Sequence, residues 1–292
     1  MGKALYEQSV AAKAVFDEAD DALGFAISTM CFEGPAEELT LTANTQPAIL
    51  TTSIAALAAL RERTDLKPAL VMGHSLGEFS ALVAAGALKF ADAVKLVRLR
   101  GQAMQEAVPA GIGSMAAVIG MDPADLEALC AEASGDEVVS PANENGGGQI
   151  VVAGHAEAVK RLVGLAKEKK ARAIPLKVSA PFHCALMQPA ADRLAEALAS
   201  IEVRAFDVPV ITNVEAEPNE DPTRVADLLV RQVTHRVRWE ASVQKAAQLG
   251  IDSALEVGHG KVLAGLVRRI DRSLSVRGVG SPENIDVLNE GA

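Results

Sequence analysis

The sequence predicts an α/β fold in which a largely parallel sheet is interrupted by a small strand-rich unit. Three observations predict it. Short apolar runs alternate with segments of helical periodicity, the pattern changes between residues 113 and 178, and glycine and proline mark the joins. Strands alternating with helices on both sides of the interruption imply a sheet covered on both faces.

Ala4, Leu5, Val10, Ala14, Val15 and Leu23 fall close to helical spacing, so the chain is expected to open in one amphipathic helix. Thr45-Gln46-Pro47 leads into a second helix ending near Arg61. After the break at Lys67-Pro68, Ala69-Leu70-Val71-Met72 is an apolar run closed by glycine, the pattern of a buried parallel strand. Helices follow over 76–87 and 90–107. Pro109, Gly111 and Gly113 then form a loop, beyond which the pattern is strand 114–119, helix 123–133, strand 138–143, strand 149–153, helix 156–170 and strand 173–178. That βαββαβ order is the ferredoxin-like pattern. After Pro181 the expected elements are helix 190–200, strand 208–212, helices 223–233 and 239–249, strand 253–257, helix 261–270 and a short strand with a polar tail. The division is a core of residues 1–109 and 180–292 around a subdomain of 110–179.

Composition limits the chemistry. At 292 residues with 49% apolar and 23% charged residues, the chain has the profile of a globular protein. A net charge of −10 argues against nucleic acid, whose binding rests on clustered Lys and Arg. No apolar stretch has bilayer-spanning length, and the N-terminus lacks signal-peptide order, so a cytoplasmic protein without membrane contact is expected. Cys31, Cys130 and Cys184 are far apart, which favours three buried thiols over a disulfide or zinc site.

The strongest local signal is Gly73-His74-Ser75-Leu76-Gly77, a G-x-S-x-G pentapeptide between a strand and a helix. Its glycines permit a sharp turn that lifts the serine hydroxyl above the sheet. The Leu76 N–H and the helix N-terminus then face a developing oxyanion. The competing reading is a glycine turn with a capping serine. By pattern alone, His183 is a hydrogen-bonded structural histidine in a Pro-Phe-His loop, and Arg100 is a surface-helix arginine beside Lys95 and Arg98. Asn143 and Asn145 read equally well as turn formers beside a glycine run, and His155 and His235 as surface loop residues.

Gly73-His74-Ser75-Leu76-Gly77-Glu78 resembles the nucleophile motif of malonyl-CoA:acyl-carrier-protein transacylases and of the acyltransferase domains in fatty acid and polyketide synthases. Thr45-Gln46-Pro47-Ala48, Arg100-Gly101, Met104-Gln105, Pro181-Phe182-His183-Cys184, Arg231-Gln232 and Glu256-Val257-Gly258 agree in the same order, over residues 4 to 280. The resemblance implies an α/β-hydrolase-like core with an inserted ferredoxin-like subdomain. It implies Ser75 as nucleophile, His183 as base, the Gln232 main-chain carbonyl as orienter of that base, and Leu76 as an oxyanion donor. It further implies that Arg100 holds the malonyl carboxylate, that His74, Gln46 and Asn143 line the substrate, and that Phe182 marks the malonyl rather than the methylmalonyl pattern. Malonyl-CoA and acyl carrier protein would be the partners in ping-pong transfer for fatty acid synthesis, with no cofactor and a monomeric enzyme. The acidic carrier would dock on Lys160, Arg161, Lys167, Lys169 and Lys170, or on Arg268 and Arg269.

This sequence departs from the family's pattern in two places. His259 stands where proline is usual. The family also begins with a buried strand ending in G-Q-G-S-Q, whose glutamine amide completes the oxyanion hole, whereas this sequence starts at the following helix. The expectation is a shortened chain with an unpaired edge on the neighbouring strands and one oxyanion donor lacking. Two alternatives remain: a serine hydrolase or thioesterase using Ser75, Asp252 and His259, and a non-catalytic protein that docks a carrier.

Overall fold

The computed structural model describes residues 1–178 and 180–290 of the chain. It is a mixed α/β structure in which helices surround several small sheets. The expected first helix is two, α1 (Lys3–Gln8) and α2 (Val10–Leu23). Ser9 divides them: its hydroxyl accepts from Ala12 N–H at 3.0 Å and donates to Glu62 at 2.6 Å. Such a capping serine starts a new helix rather than continuing the old one. Two short helices that the apolar spacing did not reveal follow, α3 (Ile27–Glu33) and α4 (Ala36–Thr40). Helix α5 (Thr42–Arg63) starts before Pro47 and carries that proline in its second turn. Its alanine-rich length lets α2 and later helices approach closely.

Strand β1 (Val71–Met72), helix α6 (Leu76–Ala84) and helix α7 (Phe90–Glu106) come next. The interrupting unit runs β2 (Gly113–Ile119), α8 (Pro123–Ser134), β3 (Val139–Gly146), β4 (Gln149–His155), α9 (Ala156–Glu168) and β5 (Arg172–Pro175). Its four strands form one antiparallel sheet in the order β3-β4-β2-β5. Alternation along the strands gives the sheet two apolar faces. On one, Val118 and Val152 pack against Leu126 of α8 and Leu162 of α9. On the other, Met115, Ala117 and Val151 rest against Phe182, Cys184 and Leu186, so this face carries the loop that holds His183.

The chain closes with α10 (Gln188–Leu198), β6 (Val210–Ile211), β7 (Pro218–Asn219), α11 (Val225–Thr234), α12 (Trp239–Gln248), β8 (Ser253–Val257), α13 (Val262–Ile270), β9 (Ser275–Val279) and α14 (Pro282–Glu290). The predicted polar tail is therefore a helix. The predicted single parallel sheet is instead two small ones: β1 pairs parallel with β6, which pairs antiparallel with β7, and β8 pairs parallel with β9. Between β1 and β8 lies a cavity of about 560 Å³ with apolar walls that include Leu57, Val71, Leu255 and Val257. Among the described residues β1 and β8 each pair on one side only. Ala69 and Leu70 face this cavity, and the strand is shorter than its apolar run.

Arg236 ties the interrupting unit to the rest, with ion pairs to Glu127 in α8 at 2.6 Å and Glu144 in β3 at 2.8 Å. Beside it, Val237 N–H donates to Ala142 and Val237 C=O accepts from Glu144. Among the described residues no helix is long and apolar enough to cross a membrane.

Candidate active site

The site begins at the turn from β1 into α6. Ser75 adopts φ 51° and ψ −103°, a conformation few side-chain-bearing residues hold without support from their surroundings. The support is visible. Asn213, just past β6 and 1% exposed, accepts from Ser75 N–H through Oδ1 at 2.6 Å and donates through Nδ2 to the Gly73 carbonyl at 2.7 Å. One buried side chain thus clamps both sides of the turn. The two motif glycines are not equivalent. A Cβ on Gly73 would lie 2.1 Å from the Gly77 backbone, while a Cβ on Gly77 would meet nothing within 4 Å. Gly73→Ala should therefore cost about 1–3 kcal/mol or more of stability and most of the activity, and Gly77→Ala should cost little of either. Thermal melts and activity measurements on the two variants check this; equal effects would show that the turn does not depend on that close approach.

Ser75 Oγ lies 2.8 Å from His183 Nε2, and His183 Nδ1 lies 2.8 Å from the Gln232 main-chain carbonyl. A carbonyl can only accept, so Nδ1 carries the proton and Nε2 is free to take one from serine. His183 is 4% exposed. Burial first, and the nearby Arg100 charge second, push its pKa down to about 3, against a smaller upward pull from the Gln232 carbonyl. The imidazole is therefore neutral, as a base must be before it acts. The Leu76 amide opens α6, and among the described residues no main-chain acceptor takes it. It is available to an oxyanion formed beside Ser75.

Arg100 is 2% exposed, which corrects the surface-helix reading. Helix α7 turns it inward, where its guanidinium lies over Phe79, 5.5 Å from the ring centroid. Nη1 donates to Gln46 at 2.7 Å; Nη2 donates to Gln232 Oε1 at 2.8 Å and to Ser75 Oγ at 3.1 Å. Its buried Nε has no acceptor among the described residues. The side of a guanidinium that presents Nε and Nη2 can receive a carboxylate with two parallel hydrogen bonds. A free N–H there, beside the Ser75 hydroxyl, is chemistry suited to a group that ends in an acid.

The Gln232 side chain adds a connection not evident in the sequence. Its Nε2 donates to the Ser75 carbonyl at 3.0 Å and to Glu78 Oε2 at 2.7 Å, while Oε1 accepts from Arg100. Glu78, 2% exposed in the first turn of α6, also accepts from Asn213 N–H at 3.1 Å. The sequence alone assigns no role to Asn213, nor to Glu78 beyond its place at the end of the motif.

The other predicted residues are distributed around this centre. Gln46 is bonded to Arg100 and reaches the Met104 sulfur at 3.8 Å, so it braces the arginine. His74 is half-buried against Trp239 and meets Asn145 Oδ1 at 3.0 Å; burial lowers its pKa. Asn143 and Asn145 lie in β3 rather than in a turn, Asn143 beside a bulge and 8% exposed. Phe182 packs where the main core meets the four-stranded sheet. Asp252 and His259 are exposed, and among the described residues neither is hydrogen-bonded to Ser75 or to the other. The hydrolase set is thus not assembled, because the loop that carries His259 runs at the surface while the His183 loop is held under the β2–β4 sheet. His155 is not a surface loop residue: half-buried at the end of β4, its Nδ1 accepts from Val138 N–H. His235 is exposed at the end of α11, and all three cysteines are buried.

The family model described as "acyl transferase domain" matches residues 1–281. The malonyl CoA-acyl carrier protein transacylase of Bacillus subtilis strain 168 is 50% identical over 98% of this chain and 91% of its own length. That of Escherichia coli K12 is 49% identical over 91% and 87%. The crystal structure of the acyl-carrier-protein S-malonyltransferase from Bartonella henselae superposes with a TM-score of 0.96 at 47% identity, covering 100% of this chain and 94% of that one. A malonyl-transacylase solved in complex with a type II PKS acyl-carrier protein gives a TM-score of 0.96 at 41% identity, with coverage of 100% and 95%.

Proposed function

The chain belongs to the acyl transferase domain family, and on that premise we propose that it moves a malonyl group from malonyl-CoA to the phosphopantetheine thiol of an acyl carrier protein, supplying fatty acid synthesis. The observation that carries this reading is the position of Arg100 Nη2 only 3.1 Å from the Ser75 hydroxyl that His183 is placed to deprotonate. An acyl group attacked by this serine and ending in a carboxylate can place that carboxylate on the arginine.

The transfer runs in two halves. Ser75 Oγ attacks the thioester carbonyl and its proton passes to His183 Nε2. The oxyanion forms toward the Leu76 N–H, then collapses; the C–S bond breaks and CoA leaves as the thiol with the proton from His183. The carrier's thiol next gives its proton to His183, its sulfur attacks the malonyl ester, and Ser75 Oγ leaves with that proton. Gln232 orients the base through its carbonyl, a neutral partner that stabilises imidazolium less than a carboxylate would. Gln46 holds Arg100 in place, and His74, Asn143 and Phe182 border the acyl chain.

The fold reading behind this is an α/β-hydrolase-like core of residues 1–109 and 180–292 carrying a ferredoxin-like subdomain of 110–179, whose boundary at 179 lies outside the described residues. The β5-β2-β4-β3 strand order supports the ferredoxin-like part. We read the enzyme as a cytoplasmic monomer, without nucleic acid or cofactor. For carrier docking, α9 covers the sheet face away from the His183 loop, and Lys160 and Arg161 are engaged by Glu157 and Glu137. Arg269 instead stands against Gly147, two residues from the Asn145 that holds His74. Arg268 and Arg269 are therefore the preferred contacts. Intact mass after mixing with malonyl-CoA should show one added malonyl group, removed by holo-acyl carrier protein. No adduct at any substrate concentration would overturn the reading.

A further inference from the structure

Two buried charges face each other across the Gln232 amide. Its nitrogen bonds the Glu78 carboxylate at 2.7 Å and its oxygen bonds the Arg100 guanidinium at 2.8 Å. The amide orientation is fixed from both ends, so it aligns its dipole between anion and cation. Glu78 Oε2 also takes the Asn213 amide, and a cavity of about 10 Å³, the size of one water, adjoins the Glu78 side of the network. That cavity is otherwise lined by Leu82, Val210, Thr212, Asn219, Val225, Leu228 and Leu229, none of them ionisable. The ionisable groups nearest the network are His74 on the Ser75 turn, His183 on its loop and Arg100 on α7. Burial lowers both histidines toward the neutral form. Arg231, the neighbour of Gln232, is occupied outside by Glu215 and Asp227.

We propose that Glu78 is a positioning residue that answers the acyl carboxylate: it balances Arg100 in the free site and takes up a proton when a malonyl carboxylate reaches that arginine. The charge count requires such a response. With Glu78 ionised, Arg100 and Glu78 sum to zero; adding a malonyl carboxylate leaves an uncompensated buried negative charge, which protonation of Glu78 removes. An acetyl group brings no charge and calls for no proton. Glu78 is poised for this exchange, since burial pushes it up to about 7 from an ordinary 4.5, against the smaller lowering by Gln232, Asn213 and Arg100. The sign follows: below pH 7 the carboxyl is already protonated and malonyl binds freely, while above pH 7 binding must carry in a proton. Malonyl preference over acetyl should therefore fall as pH rises through and above 7, by at most about tenfold per pH unit.

This inference rests on the malonyl reading above. The test is calorimetric binding of malonyl-CoA and acetyl-CoA to Ser75→Ala protein, in two buffers of different protonation enthalpy. Malonyl-CoA should take up about half a proton more than acetyl-CoA at pH 7, and more than that above it. Glu78→Gln in the same background should abolish the difference, and in the Ser75 enzyme it should make the malonyl-to-acetyl ratio of kcat/KM independent of pH between 6 and 9. Equal proton uptake for the two thioesters, or a difference that persists undiminished in Glu78→Gln, would overturn the proposal, the latter by placing the proton elsewhere. The comparison of thioesters needs no change at Glu78 and so stands even if that variant folds poorly. Absence of a malonyl adduct on the unmodified enzyme would instead overturn the malonyl reading itself.

Discussion

Ser75→Ala should leave no malonyl adduct detectable by intact mass, and His183→Ala should lower malonyl transfer by about 10²- to 10⁴-fold, the usual contribution of a positioned general base. The serine hydroxyl lies 2.8 Å from His183 Nε2, and the imidazole is held in one tautomer by the Gln232 carbonyl. Without the imidazole, serine would have to lose its proton to water in a site where His183 is almost completely enclosed. His259→Ala is the decisive control. His259 is exposed and bonded to neither Ser75 nor Asp252 among the described residues, so its loss should change the rate less than about twofold. A larger loss from His259→Ala than from His183→Ala would return the chain to the hydrolase reading.

Arg100→Ala should lower malonyl transfer by about 10- to 150-fold, the equivalent of a charged hydrogen bond of about 1.5–3 kcal/mol realised in the transition state. Acetyl transfer should be unchanged or improved. The improvement has a physical source beyond lost selectivity, because the Arg100 charge is the second cause of the low His183 pKa. Removing it makes the imidazole more basic and a better acceptor of the serine proton. Arg100→Lys should not restore malonyl transfer fully, since an ammonium cannot offer the planar pair of donors that Nε and Nη2 present. Steady-state kinetics with both thioesters decide the matter; equal losses for malonyl and acetyl would mean that Arg100 only holds Gln46, Gln232 and Ser75 together.

Much of the local structure was legible because it is set by short-range rules. Asp122 before Pro123 caps and starts α8, and the alternation in β2 and β4 marks strands with two packed faces. The stretch from residue 24 to 41 was not legible, since α3 and α4 are too short for a period to emerge from their apolar residues. The last helix was missed for a related reason: in Pro282–Glu290 Pro282 and Ile285 are buried while Glu283, Asn284, Asp286 and Val287 are exposed, so the stretch reads as a polar tail.

At the site, the sequence by itself determined the nucleophile turn, because a G-x-S-x-G between strand and helix has few conformations open to it. Family resemblance added the base, the arginine and the orienting position. It did not determine where Arg100 points, since α7 is charged on several faces and Lys95, Arg98 and Arg100 are chemically alike in one dimension. Only tertiary structure buried Arg100 against Phe79 and Ser75 and left Arg98 half-buried near Phe25 and Asn44. Tertiary structure alone also joined Glu78, Asn213 and Gln232, residues separated by up to 154 positions, into one hydrogen-bonded frame behind the serine. The reason is physical: a local motif constrains backbone dihedrals over a few residues, whereas the partner of a buried charge is chosen by what the whole fold brings within about 3 Å of it.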